Sequence, residues 1–338
     1  RPLQLVERRA WVDPQTVDLH FALGNLFRRQ GEIERAIRMH QNLLDRTDLP
    51  AERRTMASYE LAQDFMRAGM LDRAEQLLAG LEGTAYETQS LAHLIAIYEQ
   101  EKDWAKAISV TERVAELNRM PANKEIAQYH CEIAQAALVK SDLIAARAGI
   151  ERALAVHRGC ARANLVAGDL AMQEGDPAGA LAAWQRIETQ NPAFLALVAD
   201  RAADACRKLG ERPQAIRLLR AWQGQVPSLD ILNALFSLVL EVEGADAAAV
   251  LIKDELARNP TLLGLDRLLE AQIQAAPPER RHDLELVRGL VSQHIKRLGM
   301  YRCEHCGFRA RQYYWRCPGC QKWESYSPRR TETPEGFA

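Results

Sequence analysis

The chain has 338 residues, with 44 Lys and Arg against 45 Asp and Glu for a formal net charge of −1, so no global field draws it to nucleic acid or to a membrane surface. That length exceeds one simple core and allows either two or three ordinary domains or a single solenoid, which grows without enlarging its core. No run approaches the roughly 18–20 apolar residues needed to cross a bilayer, no secretory leader is visible, and seven cysteines, three of them isolated in helical sequence, suit the reducing cytosol.

In chain order, residues 1–13 read as the second helix of a repeat whose first helix is missing. With Arg1 rather than Met at the start, they are expected to belong to an excised part of something longer. Thereafter an alanine recurs nine residues after another apolar or small residue: Phe27/Ala36, Phe65/Ala74, Tyr98/Ala107, Ala137/Ala146, Ala171/Ala180, Cys206/Ala215 and Leu240/Ala249. Successive intervals are 38, 33, 39, 34, 35 and 34 residues. Between the members of each pair lies a Gly, Asp or Ser turn, as in Gln30-Gly31-Glu32 and Ser141-Asp142, that ends one helix and caps the next. The longer intervals imply extended loops near Leu49-Pro50 and Met120-Pro121. Leu23, Ile37, Leu61, Leu77 and Leu94 recur at helical spacing and form the expected seam. One such unit cannot bury its own apolar face, so neighbours must stack.

The pattern resembles the tetratricopeptide repeat. His20, Leu23, Gly24, Phe27 and Ala36 occupy most of that motif's signature positions, and Asp13-Pro14 and Asn191-Pro192 stand where its closing proline belongs. The resemblance implies a right-handed superhelix whose first helices line a concave face. On that wall the repeat phase puts Phe21, Asn25, Arg28 and Arg29, then Tyr59, Gln63, Met66 and Arg67, then Gln128, Gln135, Arg162, Asp169, Asp204 and Arg207. Of these, Asn25, Arg28, Arg29, Tyr59, Gln63, Arg67, Arg162, Asp169 and Arg207 are the candidate partner-binding residues, weighed against the plainer reading of solvated helix faces. After Asn259-Pro260 the pattern loosens into two closing helices over 261–298.

Residues 303–320 carry the one clear chemical signature: Cys303-Glu-His-Cys306 and Cys317-Pro-Gly-Cys320, in C-x2-C-x10-C-x2-C spacing. Each C-x-x-C knuckle lets two thiolates hold one metal, and a short hairpin can bring the two knuckles together. The alternatives are two redox dithiols or free thiols; haem attachment would need His where Gly307 and Gln321 stand. His305 sits awkwardly inside the first knuckle as a rival ligand. Four thiolates close the coordination sphere and leave no position for hydrolytic water; such a set fits zinc or a single iron alike, with zinc the expected ion. The knuckles resemble those of rubredoxins, but Cys303-Glu304 lacks the usual Pro and Cys320-Gln321 the usual Gly, which weakens an iron redox role.

The module is too small to fold on its core alone, so metal must contribute much of its stability. It is basic, with seven Lys or Arg against Glu304 and Glu324 over residues 301–330. It also holds seven of the chain's 21 aromatic residues, more than it can bury internally, so the rest are expected to face the repeats or a partner. A zinc-ribbon nucleic-acid scaffold is the remaining alternative. Cys131, Cys160 and Cys206 read as packing residues. No H-E-x-x-H, phosphate loop or G-x-S-x-G is present, so the chain reads as no enzyme. The expected organisation is all-α: tetratricopeptide repeats over 1–299, about seven in number, a rubredoxin-like four-cysteine module at 300–328, and a flexible tail at 329–338.

Two further runs are more specific. Leu23-Gly24-Asn25-Leu26-Phe27-Arg28 through Gly31-Glu32 to Arg35-Ala36-Ile37-Arg38-Met39-His40-Gln41, taken with Tyr301-Arg302-Cys303 through Phe308 and Tyr314-Trp315 through Trp323, resembles the lipopolysaccharide assembly protein B family of Gram-negative bacteria. That resemblance implies a non-catalytic adaptor anchored at the cytoplasmic face of the inner membrane. It further implies three partners: the FtsH protease, the LpxC deacetylase presented to it, and an opposing inner-membrane regulator of the LapC/PbgA type. The four cysteines carry over as metal ligands; no partner-contact residue carries over with them.

Overall fold

The computed structural model describes residues 17–295 and 301–330. Expectations placed on residues 1–13, Pro14, the end of the closing helices at 296–298 and the tail from 331 onward lie outside the described residues.

Among the described residues seven helix pairs follow one another: α1 (Val17–Arg29) with α2 (Ile33–Leu44), α3 (Ala51–Arg67) with α4 (Leu71–Ala79), α5 (Glu87–Glu101) with α6 (Trp104–Asn118), α7 (Asn123–Val139) with α8 (Leu143–Val156), α9 (Ala161–Gln173) with α10 (Pro177–Gln185), α12 (Ala199–Leu209) with α13 (Arg212–Gln225), and α14 (Leu229–Val242) with α15 (Ala245–Arg258). A short α11 (Ile187–Gln190) and a 3-10 turn (Pro192–Leu197) follow the fifth pair, and α16 (Leu262–Ala275) and α17 (Pro278–Ile295) close the array.

The turns show why the pairs recur. Gly31, Gly69, Lys102, Ser141, Gly175 and Gly210 all have positive φ, between 59° and 81°, and all stand five residues before the buried alanine. A left-handed residue there reverses the chain after the first helix. The following amide then donates back to the carbonyl of the first residue of the pair, as in Glu32 N to Phe27 O (2.9 Å), Asp142 N to Ala137 O (2.9 Å) and Glu211 N to Cys206 O (2.9 Å). This satisfies a carbonyl that the helix end would leave open. Asp103, Asp142 and Asp176 then cap the second helix, their carboxylates accepting from Lys106, Ala145 and Gly179 amides.

The seventh turn departs from the expected register. Val239 and Ala248, not Leu240 and Ala249, are the fully buried pair. Gly244 is itself the cap of α15, at φ 90° and ψ 177°, and its amide donates to Val239 O (3.1 Å). One extended glycine does the work of two turn residues, which moves the second helix back by one position.

Packing within a pair pivots on small residues beneath large ones. A Cβ on Gly24 would lie 2.4 Å from the His40 ring, and one on Gly168 would lie 2.1 Å from Trp184 Nε1. These two glycines occupy the same repeat position, as do the two rings above them. Trp184 is wholly buried there and donates Nε1 to Leu165 O at 3.1 Å.

The chain divides into two compact units, residues 1–122 and 123–338. In the first, Phe21, Leu43, Leu49 and Ala57 form one apolar cluster and Leu23, Phe27, Ala36 and Met39 another. In the second, one core runs from Ala134 through Trp184 and Trp222 to Ala271. The cysteine module packs on helices of the second unit. Helix α17 has no buried residue among those described; Arg288 and Ser292 fasten it to Asp266 of α16.

Candidate metal centre

The module is two superposed knuckles on a minimal hairpin. Strand β1 (Tyr301–Arg302) pairs antiparallel with β2 (Arg309–Ala310), and isolated bridges join Cys303 to Tyr326 and Arg316 to Trp323. Each knuckle closes by the same two bonds. Gly307 N donates to Cys303 O (2.9 Å) and Cys303 N to Phe308 O (2.9 Å); Gln321 N donates to Cys317 O (2.8 Å) and Cys317 N to Lys322 O (2.9 Å). Both residues after the second cysteine are left-handed, Gly307 at φ 77° and Gln321 at φ 63°. The missing glycine of the second knuckle therefore leaves its conformation intact, with glutamine carrying the steric cost of that region. Gly319 is closely bounded: a Cβ there would meet Phe308 at 3.3 Å and Cys306 Sγ at 3.4 Å.

The four sulfurs lie within 4.8 Å of one another, with Cys303 to Cys320 at 3.8 Å and Cys306 to Cys317 at 3.6 Å. A tetrahedron of thiolates about 2.3 Å from a zinc ion has edges of about 3.8 Å, so the donor set fits. Among the described residues this is the one such ligand cluster, and His305 takes no part in it. Burial would raise the Cys303 thiol, but Ser325 and the Cys306 and His305 amides hold it down to about 6. The Phe308 amide favours Cys306 ionisation, yet burial and the crowded sulfurs of Cys317, Cys303 and Cys320 push that thiol up to about 12. Sulfurs this close cannot all ionise without a cation between them.

The surplus aromatics are the module's seat. Trp315 packs on Phe194 of the 3-10 turn (5.0 Å between ring centroids), Tyr313 meets the same ring edge-on (6.2 Å), and Trp323 meets Tyr129 of α7 (5.8 Å). Between the tryptophans stands Arg162, its guanidinium 5.3 Å from Trp315 and 5.8 Å from Trp323. Phe308 alone of the set is a largely exposed ring, at 43 %.

Two carboxylates complete the seat. Glu324, left-handed at φ 47°, is held by its amide to Trp315 O (2.7 Å) and accepts from Gln128 Nε2 at 2.6 Å. The residue as a whole is exposed, yet crowding of its carboxyl end raises that group, burial being the largest cause, against the lowering influence of Lys124, His157 and Arg162. At the far edge, Asp230 of α14 receives Tyr301 OH (3.5 Å) and Arg330 Nε (3.2 Å). Arg330 also donates to Tyr301 (3.2 Å), so the second residue of the expected tail is held to the seat.

The residues expected on a partner-facing wall take different places. Arg162 is 2 % exposed and donates to Gln128, Glu132 and Gln135, beneath the two tryptophans of the module. Gln128 is likewise buried at the seat, and Phe21 belongs to the apolar core. Arg28, Arg29, Gln63 and Arg67 come together around a hollow of about 520 Å³ in the first unit. Within it Arg28 is engaged by Asn25, Glu60 and Asp64, whereas Arg29 and Arg67 are exposed. Tyr59 stacks on Tyr86 (4.8 Å) and shares a hydrogen bond with His93 (3.1 Å) instead. In the second unit, Asp169 pairs with Arg201 (2.8 Å) beside a hollow of about 420 Å³, and Arg207 pairs with Asp204 and Glu241.

Sequence reasoning missed the buried polar centre of the first unit. Asp64, wholly buried, receives Arg28 Nη1 (3.0 Å) and lies 2.5 Å from His40 Nδ1. Its signal was an acid set among Leu61, Ala62 and Phe65 on the apolar stripe of α3, where only a paired charge is tolerable.

Two family models match: the one described as rubredoxin metal binding domain over residues 301–328 and the one described as tetratricopeptide repeat over residues 19–55. Lipopolysaccharide assembly protein B of Escherichia coli K12 is 32 % identical over 320 residues, 94 % of this chain and 82 % of that protein. The Haemophilus influenzae protein of the same name is 32 % identical over 315 residues, 92 % of this chain and 79 % of that one. A solved tetratricopeptide repeat protein from Parabacteroides merdae superposes with a TM-score of 0.34 at 14 % identity, covering 81 % of this chain and 99 % of that one.

Proposed function

Because the chain belongs to the lipopolysaccharide assembly protein B family, we propose that it is a non-catalytic adaptor in lipopolysaccharide assembly. Its repeats hold protein partners, and its metal module fastens the C-terminal repeats. In this reading the adaptor stands at the cytoplasmic face of the inner membrane and presents the LpxC deacetylase to the FtsH protease, opposed by a LapC/PbgA-type regulator. Zinc is the resident ion, held by Cys303, Cys306, Cys317 and Cys320, and it supplies a structural cross-link.

The observation that carries this is the way the module is used up. Four sulfurs lie close enough to close the coordination of one ion, and three of the module's large rings lie on Phe194 and Tyr129. A nucleic-acid ribbon needs such rings open for bases to stack on; here they are spent on docking. What stays open lies on the helix pairs, above all Arg29 and Arg67 around their hollow.

The test is a crosslinked pulldown from membranes with the full-length protein, with and without the cysteine quartet. Recovery of protease and deacetylase together, lost in the cysteine variant, is the expected result. A deacetylase whose half-life is unchanged when the adaptor is deleted would end this reading. Metal analysis of purified protein separates colourless zinc from coloured iron.

A further inference from the structure

The three cysteines outside the metal centre do not share one environment. Cys206 packs within the apolar core of the second unit. Cys131 on α7 and Cys160, the residue that caps α9, instead bring their sulfurs to 3.8 Å from one another. Both are buried, Cys131 at 0 % and Cys160 at 1 % exposure. Gln128 Nε2 lies 4.0 Å from Cys160 Sγ and 2.6 Å from Glu324 Oε1. The sulfur pair therefore sits beside the bridge that fastens the module.

We propose that Cys131 and Cys160 are an oxidative modification site, a dithiol that closes to a reversible disulfide under a peroxide-class oxidant when the module lifts from its seat. This stands whether or not the adaptor reading holds.

The two cysteines have unequal roles. Cys160 stands at a helix start, where free amides favour a thiolate; the Cys131 thiol and the Ala163 amide hold its thiol below the ordinary value against the effect of burial. Cys131 is raised by its contact with Cys160 and by burial. Cys160 is thus the attacking sulfur and Cys131 the resolving one.

In the first step the Cys160 thiolate attacks one peroxide oxygen. The O–O bond breaks, leaving a sulfenic acid and a hydroxide that takes up the thiol's proton as water. The Cys131 sulfur then attacks Cys160 Sγ, the S–S bond forms, the S–O bond breaks, and the departing oxygen leaves as a second water with the Cys131 proton. Two thiols and one hydrogen peroxide thus give one disulfide and two waters. An S–S bond of about 2.05 Å requires the sulfurs to close by about 1.8 Å, which is rotamer-scale motion.

The experiment uses the zinc-loaded full chain, treated with hydrogen peroxide, quenched by alkylation and mapped by peptide mass spectrometry. A 131–160 cross-link that dithiothreitol reverses is expected. Glu324→Ala, which removes the Gln128 bridge, should form it several-fold faster. Cys131→Ser should leave a sulfenic acid on Cys160 that dimedone captures. The proposal is overturned if both cysteines stay alkylatable while the metal cysteines oxidise, or if Cys160 links to one of those instead. Equal rates in the parent and Glu324→Ala proteins would overturn the dependence on module docking.

Discussion

Replacing Gly168 with alanine sets two magnitudes against each other. Glycine to alanine inside a helix ordinarily gains about 1 kcal/mol from propensity. Here the new methyl would lie 2.1 Å from Trp184 Nε1, so the wholly buried indole must move. Overpacking a close-packed core costs about 1–3 kcal/mol, and the bond from Nε1 to Leu165 O is worth about 1 kcal/mol more. The penalty outweighs the propensity gain, and Gly168→Ala should destabilise the second unit by about 1–3 kcal/mol. Trp184→Leu alone leaves a cavity over the glycine, costing about 2–4 kcal/mol. The sixth pair carries alanine and leucine at the same two positions, Ala203 and Leu219, both buried. The double substitution should therefore cost less than the sum of the two singles by about 1–2 kcal/mol. Urea unfolding of the four proteins, followed by far-ultraviolet circular dichroism and tryptophan fluorescence, closes the cycle. Additive single effects, or a stabilised Gly168→Ala protein, would refute the packing argument.

Three further outcomes are expected. Cys317→Ser should abolish stoichiometric zinc and release the module, read as lost near-ultraviolet dichroism with helical signal retained; unchanged metal content would contradict the four-sulfur site. Ser141 holds the left-handed turn position at φ 59° that glycine holds in four of the turns, so Ser141→Gly should stabilise by about 0.5–1 kcal/mol, and a lowered melting temperature would count against strain there. Burial raises the Glu324 carboxyl above its ordinary 4.5, so the folded state binds its proton more readily than the unfolded one. Its contribution is then fully present below pH 4.5 and is lost as pH rises through the raised folded value. Glu324→Gln keeps the acceptor for Gln128 without that loss, so its melting temperature relative to the parent should climb from pH 4.5 upward and then level. A pH-independent difference would show that the carboxylate is not desolvated at the seat.

The repeat was legible because its signals are local. A left-handed turn residue followed five positions later by a buried alanine can be read along one strip of sequence, and the knuckle spacing likewise. The seventh register slipped by one residue because Gly244 looks like the four glycines of the earlier turns until its ψ is known. Gln321 hid a retained knuckle behind a residue that disfavours it. Arg162 read as a partner-facing arginine because nothing within its own helix shows that two tryptophans more than 150 residues away enclose it. Asp64 could have been flagged from its place on an apolar stripe, but its partners Arg28 and His40 come from two other helices.

By itself, then, the sequence determined the helix pairs, their period and the four-sulfur ligand set, since each depends on hydrogen bonds and side chains within about forty residues. The tertiary structure alone decided where the module sits, which side chains it consumes, and that Cys131 and Cys160 meet. Those depend on which faces remain unburied once the pairs have stacked. Contact between distant faces is set by shape and by the pairing of buried polar groups, and a periodic pattern leaves both open.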